Sequence, residues 1–190
     1  MLLSTYLQPT YNQANNTSTA TVTDVSSTCI QQLRDAAAAM GIDEARRISS
    51  FVCDSTDPDE AARFEGVGAD LLLIMFTLSA VTIPQQREML RNAYRALKPG
   101  GRVLLRDHGV YDMVQLRIPP EQWMGVPHLY QRGDGTFSYF FSVEELSRRA
   151  REAGLEVEET KYICVHNTNR KKGLHLKRVF VHGVFRRPLQ

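Results

Sequence analysis

The clearest hydrophobic pattern in the chain lies between Leu71 and Met113. Leu71–Phe76 is a short, uninterrupted apolar run, which is typical of a strand covered on both faces in a parallel sheet. From Gln85 to Leu97 the apolar residues recur at helical spacing, and Lys98–Gly101 supplies the residues that end a helix. Val103–Leu105 then resumes the apolar strand pattern. The pattern predicts a strand–helix–strand unit with parallel strands.

Related patterns flank this unit on both sides. Alternation and apolar runs predict further strands, Ser142 with Glu145 predicts a capping box that opens a helix, and an Asp-Gly pair predicts a hairpin turn. The predicted elements are a strand at Ala20–Asp24, a helix to about Met40, a strand at Ile48–Cys53, a turn at Arg132–Thr136, a helix from Ser142 to about Ala153, and strand pieces at Leu155–Val157, Tyr162–Val165 and Lys177–Phe185. Together they indicate a doubly wound α/β sheet closed by an antiparallel hairpin.

The first residues of the chain do not fit this pattern. Met1–Leu7 is briefly apolar, and Gln8–Thr19 is polar, uncharged and rich in Asn and Thr. Such a segment buries little surface, so we expect residues 1–19 to form a flexible lead or a remnant, and residues 20–190 to form the domain. No glycine-rich turn precedes the first predicted strand–helix pair.

Composition adds modest limits. The 190 residues are 43% hydrophobic and 23% charged, which suits one globular domain with a core. The segment Lys161–Gln190 contains eight Lys and Arg residues and no acid, which is compatible with a polyanionic partner or with a solvated basic face. Three widely spaced cysteines indicate a reducing compartment, and no membrane-spanning or signal pattern is visible. We expect an intracellular protein, in the cytoplasm in the first place, with mitochondrion and nucleus left open.

Acidic residues follow two of the predicted strands. Asp24 at the end of a strand could bind ribose hydroxyls of a nucleotide, or it could cap the following helix together with Ser26. Asp54 after the next strand could orient an adenine amino group, or it could belong to a solvated acidic loop. The residues alone leave both pairs of alternatives open.

A polar cluster follows Val103–Leu105, at the strand end where open α/β sheets bind their ligands. Its members are Arg106, Asp107, His108, Tyr111 and Asp112. Further along, dense aromatic residues from Tyr130 to Phe141 surround Arg117 and Arg132 in the sequence. Aromatic rings and cations can stack an unpaired base and hold its backbone, but a hairpin that packs its aromatics into the core fits equally well.

Several motifs, in this order, resemble the tRNA N3-methylcytidine methyltransferases. They are Phe76–Val81 (FTLSAV), Leu97–Gly101 (LKPGG), Leu105–Asp112 (LRDHGVYD), Tyr130–Thr136 (YQRGDGT), Tyr139–Phe141 (YFF) and Arg178–Phe180 (RVF). The resemblance implies a seven-stranded, Rossmann-like class I methyltransferase fold, mostly parallel with a reversed C-terminal strand. It also implies methyl transfer from S-adenosylmethionine to N3 of a cytidine in a tRNA anticodon loop, with a protein partner in tRNA selection left open.

The same resemblance assigns residues to the two halves of an active site. Asp24 matches the acid that binds the cofactor ribose, Asp54 matches the acid beside the adenine, and Met75 lies at a cofactor-contacting position. The matches to substrate-side positions are Arg106, Asp107 and Tyr111, expected to be catalytic, and Ser79, Arg117, Arg132 and Tyr139, expected to bind substrate. We hypothesise that Asp107 bonds the exocyclic amine of cytosine. His108 stands where the family has a tyrosine, so no role is carried over to it.

The resemblance also implies a strand and a glycine-rich loop upstream that this sequence does not contain. We therefore expect a sheet that lacks its first strand, and a chain that is incomplete or inactive alone. Two other functions stay open: a non-catalytic protein that binds tRNA or a partner, and a methyltransferase for a protein or a small molecule.

Overall fold

The computed structural model describes residues 5–8, 19–42, 47–169 and 174–189. Its strands are β1 (Thr5–Gln8), β2 (Ala20–Asp24), β3 (Ile48–Val52), β4 (Ala69–Met75), β5 (Leu97–His108), β6 (Leu129–Gln131), β7 (Phe137–Tyr139), β8 (Glu156–Asn169) and β9 (Leu174–Arg186). Its helices are α1 (Ser27–Ala39), α2 (Ile83–Ala96) and α3 (Val143–Glu152), with short 3-10 turns at Pro58–Arg63, Leu78–Ala80, Gln115–Arg117 and Pro120–Gln122.

Within the described residues, the main sheet has seven strands in the order β3-β2-β1-β4-β5-β9-β8. β2 pairs parallel with β3, and β4 pairs parallel with β5. β9 is antiparallel to both β5 and β8, so five of the seven strands run in one direction and β1 and β9 run in the other. The predicted class is confirmed: an α/β sheet, mostly parallel, with a reversed C-terminal strand.

The centre of the sheet differs from the expectation of a missing strand. β1 fills that place, and it pairs antiparallel with both β2 and β4. An empty place would leave two rows of backbone groups without partners, so even a short strand there satisfies hydrogen bonds that the sheet needs. Because β1 runs in the opposite direction to β2 and β4, its carboxyl end at Gln8 lies opposite Leu71. That is the other end of the strands from Asp24 and Met75. The other residues of the predicted flexible lead, 1–4 and 9–18, lie outside the described residues.

The predicted turn at Lys98–Gly101 is an excursion inside β5. Ala69 of β4 pairs with Leu97, and Leu71 then pairs with Arg102, so four residues of β5 loop out opposite one of β4. Gly100 has φ +81°, and a Cβ at Gly101 would lie 2.8 Å from the carbonyl oxygen of Ala69. Both glycines are therefore required by the backbone path.

The core lies between the central strands and α2 and α3. Leu72 and Ile74 of β4, Leu90 of α2, Leu146 of α3 and Phe185 of β9 belong to one cluster and are each at most 1% exposed. Periodicity placed four of them in apolar strands or on the apolar face of a helix, because helices and strands repeat their contact face at fixed intervals. Leu146 lies in the helix that the capping box predicts.

Side-chain caps set the starts of the helices. The Ser26 hydroxyl accepts the Cys29 N–H, and the Ser142 hydroxyl accepts the Glu145 N–H, as the predicted capping box requires of its first half. Gln85 accepts the N–H of Thr82 at 2.9 Å, which begins α2 two residues before the predicted start.

The late strand pieces are continuous strands β8 and β9. The basic residues Arg170–Lys172 between them lie outside the described part of the chain.

Candidate active site

A cavity of about 490 Å³ opens at the carboxyl ends of β4 and β5. This volume is in the range of small-ligand sites, and the carboxyl ends of parallel strands are where such sheets bind ligands. The lining residues are aromatic, small or cationic: Phe76, Ser79, Ala80, His108, Val114, Arg132, Phe137, Arg178 and Phe180.

The wall of this cavity is held by Asp107, the penultimate residue of β5. One carboxylate oxygen accepts the backbone N–H of Ser79 at 2.9 Å, and the other accepts the N–H of His108 at 2.8 Å. The side chain is 0% exposed. Burial raises the pKa of Asp107 to about 6, and the hydrogen bonds from Ser79, His108 and Leu78 oppose that rise. Asp107 thus lies directly behind the cavity and positions two residues that line it.

His108 contributes an uncharged ring to the wall. Its centroid lies 5.4 Å from Phe76, 5.6 Å from Phe140 and 6.3 Å from Phe180. Burial lowers the pKa of His108 to about 4, with a further contribution from the charges of Arg178 and Arg132. At neutral pH this ring is therefore neutral. Its Nδ1 is buried and has no hydrogen-bond partner in the described part of the protein.

Phe76 adopts a backbone conformation that is rare for a large side chain. It follows β4 with φ +56°, in the left-handed region. Its N–H donates to the carbonyl of Arg106 at 2.9 Å, which continues the β4–β5 ladder by one bond and turns the ring toward the cavity. Non-glycine residues in this region are concentrated at functional sites, because the surrounding structure must over-determine them.

The cations of the site rest on its aromatic rings. The guanidinium of Arg106 lies 4.5 Å from the centroid of Phe180 and 6.0 Å from that of Phe76, and Arg178 lies 5.1 Å from Phe180. The Nη2 of Arg132 donates to the hydroxyl of Ser138 at 3.2 Å. The contacts with the rings keep the charges of Arg106 and Arg178 near the cavity.

Asp112 anchors Arg178 to the site. Its carboxylate is 0% exposed and accepts the Nε of Arg178 at 2.9 Å, the N–H of Val179 at 2.7 Å and the N–H of Val114 at 2.7 Å. Asp112 belonged to the predicted polar cluster without a role. Arg178 and Phe180 were missed as site residues, because β9 follows the cluster by about seventy residues; their appearance in the RVF motif was the available signal.

The two predicted cofactor acids lie together at the ends of β2 and β3. Both line a small cavity of about 30 Å³ with Thr23, Val25, Cys53, Ser55, Thr56, Thr77, Val81 and Met89. Asp24 is 5% exposed; one of its oxygens accepts the Ser26 N–H at 2.8 Å, and the other has no partner in the described part of the chain. Asp54 is exposed and accepts the N–H and the hydroxyl of Thr56. Asp24 therefore shapes the turn before α1 and still offers one free oxygen.

Four other predicted site residues lie apart from these cavities. Tyr139 is 2% exposed in the core, donates to Glu145 at 2.6 Å and lies outside the lining of the larger cavity. Tyr111 is 74% exposed with φ +63°, and its N–H donates to the Gln115 side chain. Arg117 is exposed in the turn Gln115–Arg117, and Met75 is a half-buried residue paired with Arg106.

Comparison with known proteins identifies the class. Residues 4–103 match the family described as "Methyltransferase domain", which is more than half of the chain. The chain therefore belongs to the methyltransferase domain family. A solved SAM-dependent methyltransferase of Methanosarcina mazei superposes with a TM-score of 0.65 at 16% identity and covers 90% of this chain and 82% of its own. Another SAM-dependent methyltransferase, from Anabaena variabilis, superposes with a TM-score of 0.61 and covers 87% of this chain and 66% of its own. These likenesses show the Rossmann-like methyltransferase fold.

Sequence relatives agree with the predicted resemblance. The chain is 39% identical over 144 residues to a tRNA N(3)-methylcytidine methyltransferase of Drosophila melanogaster, covering 76% of this chain and 44% of that protein. It is 35% identical over 145 residues to a tRNA N(3)-cytidine methyltransferase of Homo sapiens, covering 76% and 51%. It is also 34% identical over 145 residues to O-methyltransferase 3 of Dictyostelium discoideum, covering 75% and 33%. The resemblance is confirmed, and the chain spans about half or less of the length of these relatives.

The described residues contain no helix that is long and apolar enough to cross a membrane. They also contain no group of three or more His, Cys, Asp or Glu side chains arranged to hold a metal ion.

Proposed function

We propose that this chain forms the substrate half of an S-adenosylmethionine-dependent methyltransferase that acts on N3 of a cytidine in a tRNA anticodon loop. The observation that carries the proposal is the 490 Å³ cavity, because it combines aromatic rings with guanidinium groups at the ligand edge of a methyltransferase sheet. The tRNA N(3)-cytidine methyltransferases among the relatives support the choice of substrate.

The lining suits an unpaired base. Cytosine N3 is a nucleophile once its base pair is open, so an enzyme for this position must hold the base outside the stack and place it in line with the methyl donor. Phe76 and Phe180 offer ring faces for stacking, and Arg132 and Arg178 offer cations for the flanking phosphates. Tyr111 and Arg117, which are exposed outside the lining, and Arg106, which lies over the rings of Phe76 and Phe180, are proposed to take part in substrate contact.

Asp107 acts on the base through its neighbours in this proposal. Both of its oxygens accept backbone N–H groups, so it presents Ser79 and His108 to the cavity. The neutral His108 ring and the Ser79 hydroxyl then read the edge of the base. Asp107 is 0% exposed, so direct contact between its carboxylate and the exocyclic amine would require the surrounding cavity wall to move. Tyr139 supports the hairpin from the core.

The two acids at the smaller cavity have the chemistry that binds the nucleoside part of S-adenosylmethionine, but a volume of about 30 Å³ is that of one water molecule, so a nucleoside requires this cavity to open. The free oxygen of Asp24 suits a ribose hydroxyl, and Asp54 suits the adenine amino group; Met75 is proposed to border the cofactor. When bound, S-adenosylmethionine supplies a methyl group made electrophilic by a sulfonium. The described backbone does not fit the methionine part, because residues 1–24 contain no glycine and the carboxyl end of β1 lies at the far edge of the sheet.

That last observation favours a second candidate. The second candidate is a protein that binds tRNA or a protein partner without catalysis, because the described part of β1 turns its carboxyl end away from Asp24 and Met75. A protein partner that aids tRNA selection, and a location in the cytoplasm, are part of the proposal; free thiols at Cys29, Cys53 and Cys164 are consistent with a reducing compartment.

Nucleoside mass spectrometry distinguishes these functions. The chain would be incubated with S-adenosylmethionine and unmodified tRNA, with Arg132→Gln as the site variant and exposed Arg151→Gln as the control. New 3-methylcytidine that falls in the first variant and not in the second supports methyl transfer at this site. Retained tRNA binding without product supports the non-catalytic candidate. Methylation of a protein or a small molecule with neither tRNA binding nor tRNA product contradicts both.

A further inference from the structure

We propose that the outer face between α2 and α3 carries a phosphate-binding site. A cavity of about 380 Å³ opens there, and its lining residues are Arg87, Arg91, Arg149, Glu152 and Ala153. None of them lines the cavity that contains Ser79 and His108. The methyl-transfer proposal makes no use of this cavity, so the two proposals stand independently.

Two of the arginines share one face of α2. Arg87 and Arg91 are four residues apart and exposed, so their side chains lie one helical turn apart on the same side. Arg91 reaches the carboxylate of Glu88 only at 3.5 Å. Arg87 has no hydrogen-bonding or charged partner within the described residues. Arg87 therefore supplies a positive charge that no described residue neutralises, and Arg91 shares the carboxylate of Glu88 with Arg95.

The third arginine is buried. Arg149 of α3 is 3% exposed, its guanidinium carbon lies 4.5 Å from the centroid of Tyr139, and its Nη2 donates to Glu145 at 2.6 Å. Its Nε and Nη1 have no acceptor among the described residues. A guanidinium donates hydrogen bonds in its own plane, so a ring stacked on its face cannot satisfy these two atoms. Buried, charged donors without an acceptor indicate a missing partner.

The balance of charge selects the kind of partner. Glu152 is the acid of the lining, and it pairs with Arg148, which lies outside the lining. Arg149 pairs with Glu145 and Arg91 with Glu88, so the unmet demand lies in the guanidinium of Arg87 and in the two remaining donors of Arg149. An oxyanion with several acceptor oxygens matches this set, and arginine forks suit phosphate geometry. The phosphate could belong to a phosphodiester of RNA or to a free phosphate; the chemistry at the site is the same.

The test uses the whole chain and a matched pair of double variants. Arg87→Gln/Arg91→Gln removes two charges from the site, and Arg47→Gln/Arg151→Gln removes two exposed charges elsewhere. Inorganic phosphate is titrated at low salt and followed by 31P linewidth. We expect the wild type and the control to bind it and the site variant to bind at least fivefold more weakly. Arg149→Lys, which keeps the charge and loses the fork, should weaken binding while circular dichroism shows an intact fold.

A second arm identifies the source of the phosphate. Binding of a single-stranded RNA oligonucleotide is measured by anisotropy over a range of salt concentrations. If RNA provides the phosphate, the site variant loses about 1.4 from the slope of log affinity against log salt, about 0.7 for each contact. A lower phosphate affinity with an unchanged RNA slope assigns the site to free phosphate. Unchanged phosphate affinity together with an unchanged slope overturns the proposal.

Discussion

The backbone N–H of Ser79 donates to the carboxylate of Asp107 at 2.9 Å, although 28 residues of chain separate the two. This bond joins the turn that follows β4 to the end of β5, and both segments line the larger cavity. Its acceptor is fully buried and has a raised pKa. The geometry of the candidate site therefore depends on a carboxylate that ligands reach only through the residues it holds.

Replacing Asp107 with Asn should change how stability depends on pH. The folded-state pKa of Asp107 is about 6 and lies above the ordinary 3.8. The contribution of Asp107 to the free energy of unfolding is therefore fully present below pH 3.8 and is lost as pH rises through 6. The difference between wild-type and Asp107→Asn unfolding free energies should shrink by about 3 kcal/mol between pH 4 and pH 7. Urea unfolding at both values measures it. Exposed Asp59→Asn is the control, and a pH-independent difference would contradict the prediction.

His108 should make the protein less stable as pH falls, which is the opposite of the pH dependence expected from Asp107. Its folded-state pKa of about 4 lies below the ordinary 6.5, so its contribution is present above pH 6.5 and is lost as pH falls toward 4. His108→Phe keeps a ring beside Phe76, Phe140 and Phe180 and removes the titration. We expect the variant to gain about 3 kcal/mol relative to wild type between pH 7 and pH 4. Parallel stability curves for the two proteins would show that His108 is not buried neutral.

Asp112 should be among the most sensitive positions. Its carboxylate accepts one guanidinium and two backbone N–H groups while fully buried. Asp112→Ala leaves Arg178 and both N–H groups without that acceptor, which should cost about 3–5 kcal/mol. Thermal unfolding measures the loss. The control is Asp70→Ala, which removes the exposed salt bridge between Lys98 and Asp70. It should lower the free energy of unfolding by at most about 1 kcal/mol.

Asp24 provides a direct check of the nucleoside site. Asp24→Asn replaces the free carboxylate oxygen with an amide group and should weaken binding of S-adenosylhomocysteine about tenfold, which corresponds to about 1.4 kcal/mol. Calorimetric titration measures the affinity, with exposed Asp35→Asn as the control. Equal affinities for the two variants would place the ligand elsewhere.

Gly101 tests the excursion inside β5. A Cβ at this position would lie 2.8 Å from the Ala69 carbonyl oxygen and 3.0 Å from that of Lys98, both backbone atoms. Gly101→Ala should therefore destabilise the chain by about 1–3 kcal/mol. Gly133→Ala, where nothing lies within 4 Å of the new Cβ, should change stability by less than about 0.5 kcal/mol. Equal effects in chemical unfolding would mean that the backbone at Gly101 adjusts freely.

Local pattern was sufficient for most of the elements. β2 begins and ends at the predicted residues, and the helix and hairpin signals at Ser142 and at Arg132–Thr136 correspond to α3 and to the β6–β7 hairpin. These features depend on neighbours within a few residues, and such neighbours are visible in a sequence. The late strand pieces merged into β8 and β9 because pairing between strands extends a ladder beyond what single-strand propensity indicates.

The sequence by itself determined the α/β class, the family resemblance and the cluster from Arg106 to Asp112. Only the tertiary structure decided which of these side chains meet. It turned Tyr139 into the core, placed Arg178 and Phe180 at the cavity and ran β1 backwards through the centre of the sheet. The physical reason is that strand direction, burial and long-range acceptors such as Asp107 are set by partners far away in the chain, and those partners leave no periodic signal at the residue itself.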